Sequence, residues 1–310
     1  MTTPATRWVI GRGLLGAEIV NVRRDVPFHA PIDWSSPDAT VRDLRAGLKR
    51  FGDLVGDGAW EIYWSAGRGV TSTPMSVMEL EADVYEAFLD EARVAMAANS
   101  SQGRMFLSSS VGGAYAGSSH PPFTESTPPR PLSAYGEVKL RMEGSLREAV
   151  ASAGWRGLIA RVTNIYGPGQ NLGKGQGLIS VIIESYVTGK PTSIFVSLDT
   201  LRDYIYATDC ARVIDAAITR VAGEAPGTTV LKIVGAMNAL SIGAIVGEIS
   251  RLRRKPVPIV LGQGSAAGQA IDLRVRSEVW PDLDGLVATT LPEGLGAIYR
   301  AVLASHMLPR

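Results

Sequence analysis

At 310 residues the chain is long enough for one large domain or two ordinary ones, and 45% apolar with 20% charged residues is the make-up of a protein that buries its own core. A formal charge of +1 excludes a global basic field for nucleic acid or an anionic membrane, so an anionic ligand must be held by a few placed cations. One cysteine, Cys210, excludes an intramolecular disulfide, and the first 13 residues lack the basic-then-apolar order of a secretory leader, which together predict a cytoplasmic protein.

Residues 8–10 read as a short apolar strand, followed by Gly11-Arg12-Gly13-Leu14-Leu15-Gly16 and an apolar-periodic helix over 14–22. Residues 26–29, stopped by Pro31, read as a second short strand, and 41–51 as a helix with one charged face. The strand 60–64 ends in the small-residue turn Ser65-Ala66-Gly67. A long amphipathic helix over 78–98 leads to a strand at 105–107, which runs into Ser108-Ser109-Ser110. The proline-rich stretch 121–131 is a loop, 134–152 a helix and 157–162 a strand. Beyond Gly167 shorter elements follow, at 178–188, 193–196, 208–220 and 241–254. No apolar run approaches the roughly 20 residues of a membrane span. Strands alternating with helices predict a parallel sheet covered on both faces and joined by right-handed crossovers. The expected fold is α/β: a Rossmann-type doubly wound sheet over 1–168 with a return segment at about 202–236. A smaller α/β C-terminal lobe is expected from 169–201 and 237–310.

The glycine cluster is a G-x-G-x-x-G placed after a strand and at the opening of a helix, the context that gives the pattern meaning. Glycines permit a tight turn and close backbone approach to a pyrophosphate, and the helix start offers unpaired N–H groups. An acid some 20 residues on would select NAD, but that place reads Phe28-His29-Ala30-Pro31, with Asp25 too early and Asp33 somewhat late. Arg12, Arg23 and Arg24 could instead meet the 2′-phosphate of NADP.

Tyr135 and Lys139 are four residues apart, so a helix sets them on one face. An ammonium beside a phenol favours phenolate, which suits a general base that takes the proton of a secondary alcohol while hydride leaves for a nicotinamide. A hydroxyl at the end of the preceding strand, Ser110 before Ser108 or Ser109, can orient that alcohol. His29, His120 and His306 stand apart without ligand spacing, so no metal is expected.

The ordered set of glycine turn, Ser108-Ser109-Ser110 with Tyr115, Pro131 through Lys139, Arg161 through Asn171 and Arg202 through Asp209 resembles the extended short-chain dehydrogenase/reductases, and more narrowly the NAD-dependent epimerase/dehydratase family. The resemblance implies a Ser110–Tyr135–Lys139 triad, with Lys139 also holding the nicotinamide ribose. It implies a cofactor site of Gly11, Arg12, Gly13, Leu14, Leu15, Gly16, Ala66, Gly67 and Ser108 with Tyr135 and Lys139. Substrate contacts fall to Ser110, Tyr115, Asn164 and Arg202, the last as a planar cation for a sugar nucleotide's diphosphate. It also implies a homodimer paired through helices 78–98 and 134–152. Three departures stand out. The glycine loop is one residue short of the family's usual turn. Val111-Gly112 replaces the Asp-Glu pair that dehydratases carry, which disfavours dehydration. Gln269-Ala270-Ile271-Asp272 precedes Arg274, so that only a displaced Arg274 or Arg276 could add a second diphosphate cation. The reading is an epimerase acting on a nucleotide-diphosphate sugar through a transient keto-sugar, with NAD or NADP. The alternatives are an NADPH-dependent ketoreductase and a non-catalytic nicotinamide-binding sensor.

Overall fold

The computed structural model describes residues 4–172, 177–252, 254–262 and 270–307. At its centre five parallel strands lie side by side: β1 (Thr6–Ile10), β2 (Trp60–Trp64), β3 (Gly103–Ser110), β4 (Arg156–Val162) and β8 (Thr229–Val234). Successive strand residues point to opposite faces. Trp8, Ile10, Ile62, Trp64, Met105, Leu107 and Ile159 enter one core, and Val9, Tyr63, Phe106, Leu158 and Ala160 the other. Both faces are covered, which is why the strands are nearly unbroken apolar runs. Helices α2 (Pro37–Val55), α3 (Met75–Ala95) and α5 (Ala134–Ala153) close the first face, and α1 (Leu14–Asn21) and α7 (Ala207–Val221) the second. The sheet is doubly wound, as the alternation of elements predicts.

The remaining elements gather beyond the carboxyl ends of these strands. A one-turn helix α4 (Val111–Tyr115) follows β3 directly. Strands β5 (Asn164–Tyr166), β7 (Leu201–Tyr206) and β11 (Asp272–Leu273) make a small parallel sheet, with β9 (Ala239–Ser241) antiparallel to β7. Strands β6 (Thr192–Ile194) and β10 (Ile259–Leu261) pair separately. Helices α6 (Leu178–Thr188), α8 (Ile242–Arg251) and α9 (Leu291–Met307) pack with Tyr166 around a third apolar cluster. Among the described residues no helix is long and apolar enough to cross a membrane.

Helix starts follow local chemistry. Ser36 accepts the Ala39 N–H at 3.2 Å and Pro37 occupies the first helical position, so α2 begins four residues before the apolar periodicity does. Ser133 caps α5 in the same way through Gly136. The expected strand at 26–29 is a correction. Only Phe28 bridges β1, at Trp8, through a 2.7 Å bond from its N–H to the Arg7 carbonyl. Pro27 has no N–H to extend a ladder, and Val26 is 94% exposed. The bridge is parallel, so the chain leaving Phe28 heads for the same sheet edge as the glycine turn.

Two glycines separate packing from propensity. A Cβ on Gly103 would meet the Trp60 ring at 2.1 Å, whereas one on Gly144, inside α5, would meet nothing within 4 Å. Urea unfolding should show Gly103→Ala losing about 1–3 kcal/mol from overpacking. Gly144→Ala should gain about 0.5–1 kcal/mol from reduced chain entropy. Equal effects at the two positions would contradict the placement of Trp60.

Candidate active site

The glycine turn is shaped by close approach. Gly11 has φ +84°, and a Cβ there would lie 2.3 Å from the Ala66 backbone. A Cβ on Gly16 would lie 1.9 Å from the Gly11 carbonyl oxygen, and the Ser65 hydroxyl donates to that same oxygen at 2.7 Å. Gly11, Gly16, Ser65 and Ala66 thus lock the turn after β1 against the turn after β2. Gly13 caps α1 with no side-chain hydrogen bond and nothing stands within 4 Å of its Cβ position, so there is room at the start of the helix. A diphosphate fits that cradle. Leu15 packs into the second core and Leu14 leans toward Gly167, so both offer only backbone to a ligand. Arg12 is exposed on the turn.

The serines at the end of β3 divide by strand alternation. Ser109 is buried and donates to Glu143 of α5 at 2.6 Å. Ser110 faces the other way and accepts the Gly113 N–H at 3.1 Å, which caps α4 and leaves its own proton to donate. Two glycines then bring α4 against the start of α5. A Cβ on Gly136 would lie 2.2 Å from the Gly113 carbonyl oxygen. A Cβ on Gly113 would meet Tyr135 Cε1 at 3.2 Å and Ser110 Cβ at 3.4 Å, so hydroxyl and phenol lie side by side. Lys139, one turn along α5, is 6% exposed and holds its ammonium 5.8 Å from the Tyr135 ring centre. That ammonium also lies 3.5 Å from where a Gly67 Cβ would stand. Ser110, Tyr135, Lys139 and the turn after β2 therefore meet in one place.

A buried ion pair holds this helix. Glu143 is fully buried and binds Arg161 of β4 through two bonds of 2.9 and 2.7 Å. Arg161 also donates to the Tyr115 hydroxyl at 2.6 Å, and that hydroxyl donates to the Thr124 carbonyl at 2.9 Å. Tyr115 is thereby removed from the expected substrate contacts: it is 0% exposed, stacked 5.4 Å from Phe123, and burial pushes its phenol up, keeping it a neutral donor. Composition gave no hint of Glu143 and Arg161. The available signal was spacing, since Glu143 continues the Tyr135–Lys139 face by one more turn.

The expected anion contacts fall out differently. Arg202 is 8% exposed and donates to three carbonyls, of Leu201, Ala270 and Ile271. Among the described residues no carboxylate lies within ion-pair distance of it. Asp203 is engaged by the Ala236 and Asn238 N–H groups, and Asp209 by Arg212, Ala288 and Thr289. Burial lowers the pKa of Arg202, partly offset by the nearby Tyr204 and Asp272. Asn164 is exposed and donates to the Asp203 carbonyl at 2.9 Å. Arg274 pairs with Asp272 at 2.8 Å and Arg276 with Glu278 at 3.6 Å, both on the surface. Arg23 is a further correction. It binds Glu61 at 2.9 Å and Asp215 at 2.6 Å at the amino-terminal ends of the strands, opposite the glycine turn, and is not available to a 2′-phosphate. Cys210 is fully buried, which pushes its thiol far up and makes it inert. Among the described residues no three His, Cys, Asp or Glu side chains are grouped to hold a metal. Residues 173–176 and Gln269 lie outside the described residues.

The NAD dependent epimerase/dehydratase family matches residues 61–231, more than half of the chain. A stretch of 100 residues is 33% identical to dTDP-4-dehydro-6-deoxyglucose reductase of Escherichia coli, covering 32% of this chain and 32% of the reductase. The match therefore spans about a third of that relative's length. UDP-glucose 4-epimerase of Thermus thermophilus, solved with NAD, superposes with TM-score 0.71 at 18% identity, over 94% of this chain and 96% of that one. RMD from Pseudomonas aeruginosa, solved with NADPH, superposes with TM-score 0.75 at 19% identity, over 97% and 100% of the two chains. At these identities the likeness is one of fold.

Truncating Glu143 leaves the Arg161 cation buried without its carboxylate. Glu143→Ala should cost about 3–5 kcal/mol in urea unfolding. A loss under about 1 kcal/mol, the range of exposed pairs, would show that the pair is not desolvated.

Proposed function

Because the chain belongs to the NAD-dependent epimerase/dehydratase family, we propose that it is an epimerase of a nucleotide-diphosphate sugar, working through a transient keto-sugar. The observation that carries this reading is the meeting of Ser110, Tyr135 and Lys139 beside the turn at Gly67. The open cradle at Gly13 and the α1 start fit a dinucleotide pyrophosphate, with Lys139 placed for the nicotinamide ribose. When bound, that cofactor supplies the acceptor and later the donor of a hydride. Ser110 orients the sugar hydroxyl. Tyr135 takes its proton while the carbinol hydrogen leaves with the bonding electrons, and returns the proton once the keto-sugar has turned its other face. Lys139 favours the phenolate that accepts this proton at the outset and is restored when the proton goes back. Arg202, resting on carbonyls alone, is the proposed partner of the substrate diphosphate, with Asn164 beside it on the adjoining strand. The cluster of α6, α8 and α9 is the proposed substrate lobe.

The match to a dTDP-sugar reductase favours one other reading, a single use of the same triad with exchangeable NADPH. Nucleotide that stays with the protein through purification supports the epimerase. Rapid consumption of added NADPH with a 4-keto sugar supports the reductase. In either case Tyr135→Phe should lower kcat by a factor of about 100 or more while leaving cofactor affinity nearly unchanged. Surviving turnover would remove Tyr135 as the base.

We infer NAD rather than NADP. Asp33 lies on the loop that follows the Phe28 bridge, and hydrogen bonds from Ser35 hold its carboxyl below the usual range. A carboxylate there repels a 2′-phosphate, and Arg23 is committed elsewhere. Equilibrium titration should show tighter binding of NAD than of NADP. Asp33→Ser should narrow the gap several-fold, less so in high salt. An unchanged ratio would place the ribose away from this loop.

A further inference from the structure

Beside the proposed base stands a carboxylate that the reaction above does not use. Glu81 of α3 reaches into the turn after β2, where one oxygen accepts the Arg68 N–H at 2.6 Å and the Gly69 N–H at 2.7 Å. Its other oxygen lies 3.4 Å from the point a Gly67 Cβ would occupy, and the Lys139 ammonium lies 3.5 Å from the same point. Carboxylate and ammonium thus flank one glycine, on the turn that faces the proposed nicotinamide site. The turn is packed down on α3 as well, since a Cβ on Gly69 would strike the Met78 sulfur at 2.1 Å.

The charges in this corner conflict unless something balances them. An oxidised nicotinamide ring carries one positive charge and the reduced ring none. Lys139 must be close to serve the ribose and Tyr135, so its ammonium repels the oxidised ring and favours the reduced one. The geometry points to Glu81 as a positioning residue that counterbalances Lys139, and so sets which redox state of the nicotinamide is held more tightly. This rests on the function proposed above. Its chemical consequence is specific: arrival of a hydride, two electrons with one hydrogen, turns the cation neutral and removes the attraction to Glu81. Glu81 therefore keeps the resting site charged with the oxidised form, ready to accept hydride from the sugar.

The test is a comparison of dissociation constants for NAD+ and NADH, read by fluorescence titration of the wild type and of two variants. Glu81→Gln keeps the shape and an acceptor for the turn but removes the charge. It should raise the ratio of the NAD+ constant to the NADH constant by roughly three- to tenfold. Glu81→Asp keeps the charge on a shorter arm, so affinity for both forms falls while the ratio stays near that of the wild type. Equal weakening of both forms by Glu81→Gln, or no change, overturns the assignment and leaves the dinucleotide site intact. Absence of dinucleotide binding by the wild type would instead overturn the functional reading, and this inference with it.

Discussion

The ion pair between Glu143 and Arg161 is the constraint around which the site is arranged. It joins α5 to β4, reaches β3 through Ser109 and reaches α4 through Tyr115, each by a direct hydrogen bond. A helix carrying two functional side chains on one face needs its rotation fixed, and apolar packing alone fixes rotation weakly. A bidentate guanidinium–carboxylate contact is directional and admits one alignment. Tyr135 and Lys139 occupy the two turns before Glu143 on the same helix, so their bearing is inherited from it. The close contact between Gly113 and Gly136 then sets their depth against Ser110.

Much of this was legible in the sequence. Four of the five central strands could be read because apolar residues fill both faces of a parallel sheet, and the glycine turn could be read from its place between strand and helix; β8 was expected only as part of a return segment. The Tyr135–Lys139 pair was legible from its helical spacing and Ser110 from its place at a strand end, while their grouping as a triad came from the ordered set of motifs. The strand at 26–29 was misread because its apolar content outweighed Pro27, whose missing N–H limits pairing to one bridge. Tyr115 was misread because an aromatic near a catalytic motif has the same letter whether it lines a pocket or fills a core. Its partner, Arg161, comes 46 residues later, a distance no local pattern spans.

The arginines show why charge cannot be assigned from sequence alone. Arg23, Arg161 and Arg202 all sit near motif positions, yet their surroundings separate them. Arg23 is neutralised by Glu61 and Asp215 under the sheet, and Arg161 by Glu143 inside it. Arg202 rests on carbonyl oxygens, and among the described residues it makes no ion pair. A nearly neutral chain can thus hold cations in quite different surroundings.

The single bridge at Phe28 has a consequence for the molecule among its own copies. A sheet that stops at β1 would ordinarily leave a rim of unpaired peptide groups, a template on which a stray strand from another chain could dock and start a fibril. Pro27 and Pro31 bracket the one peptide that does pair, so the covering segment cannot itself act as the next template. What reads as a stunted strand is, at this edge of the sheet, a poor template for a further strand.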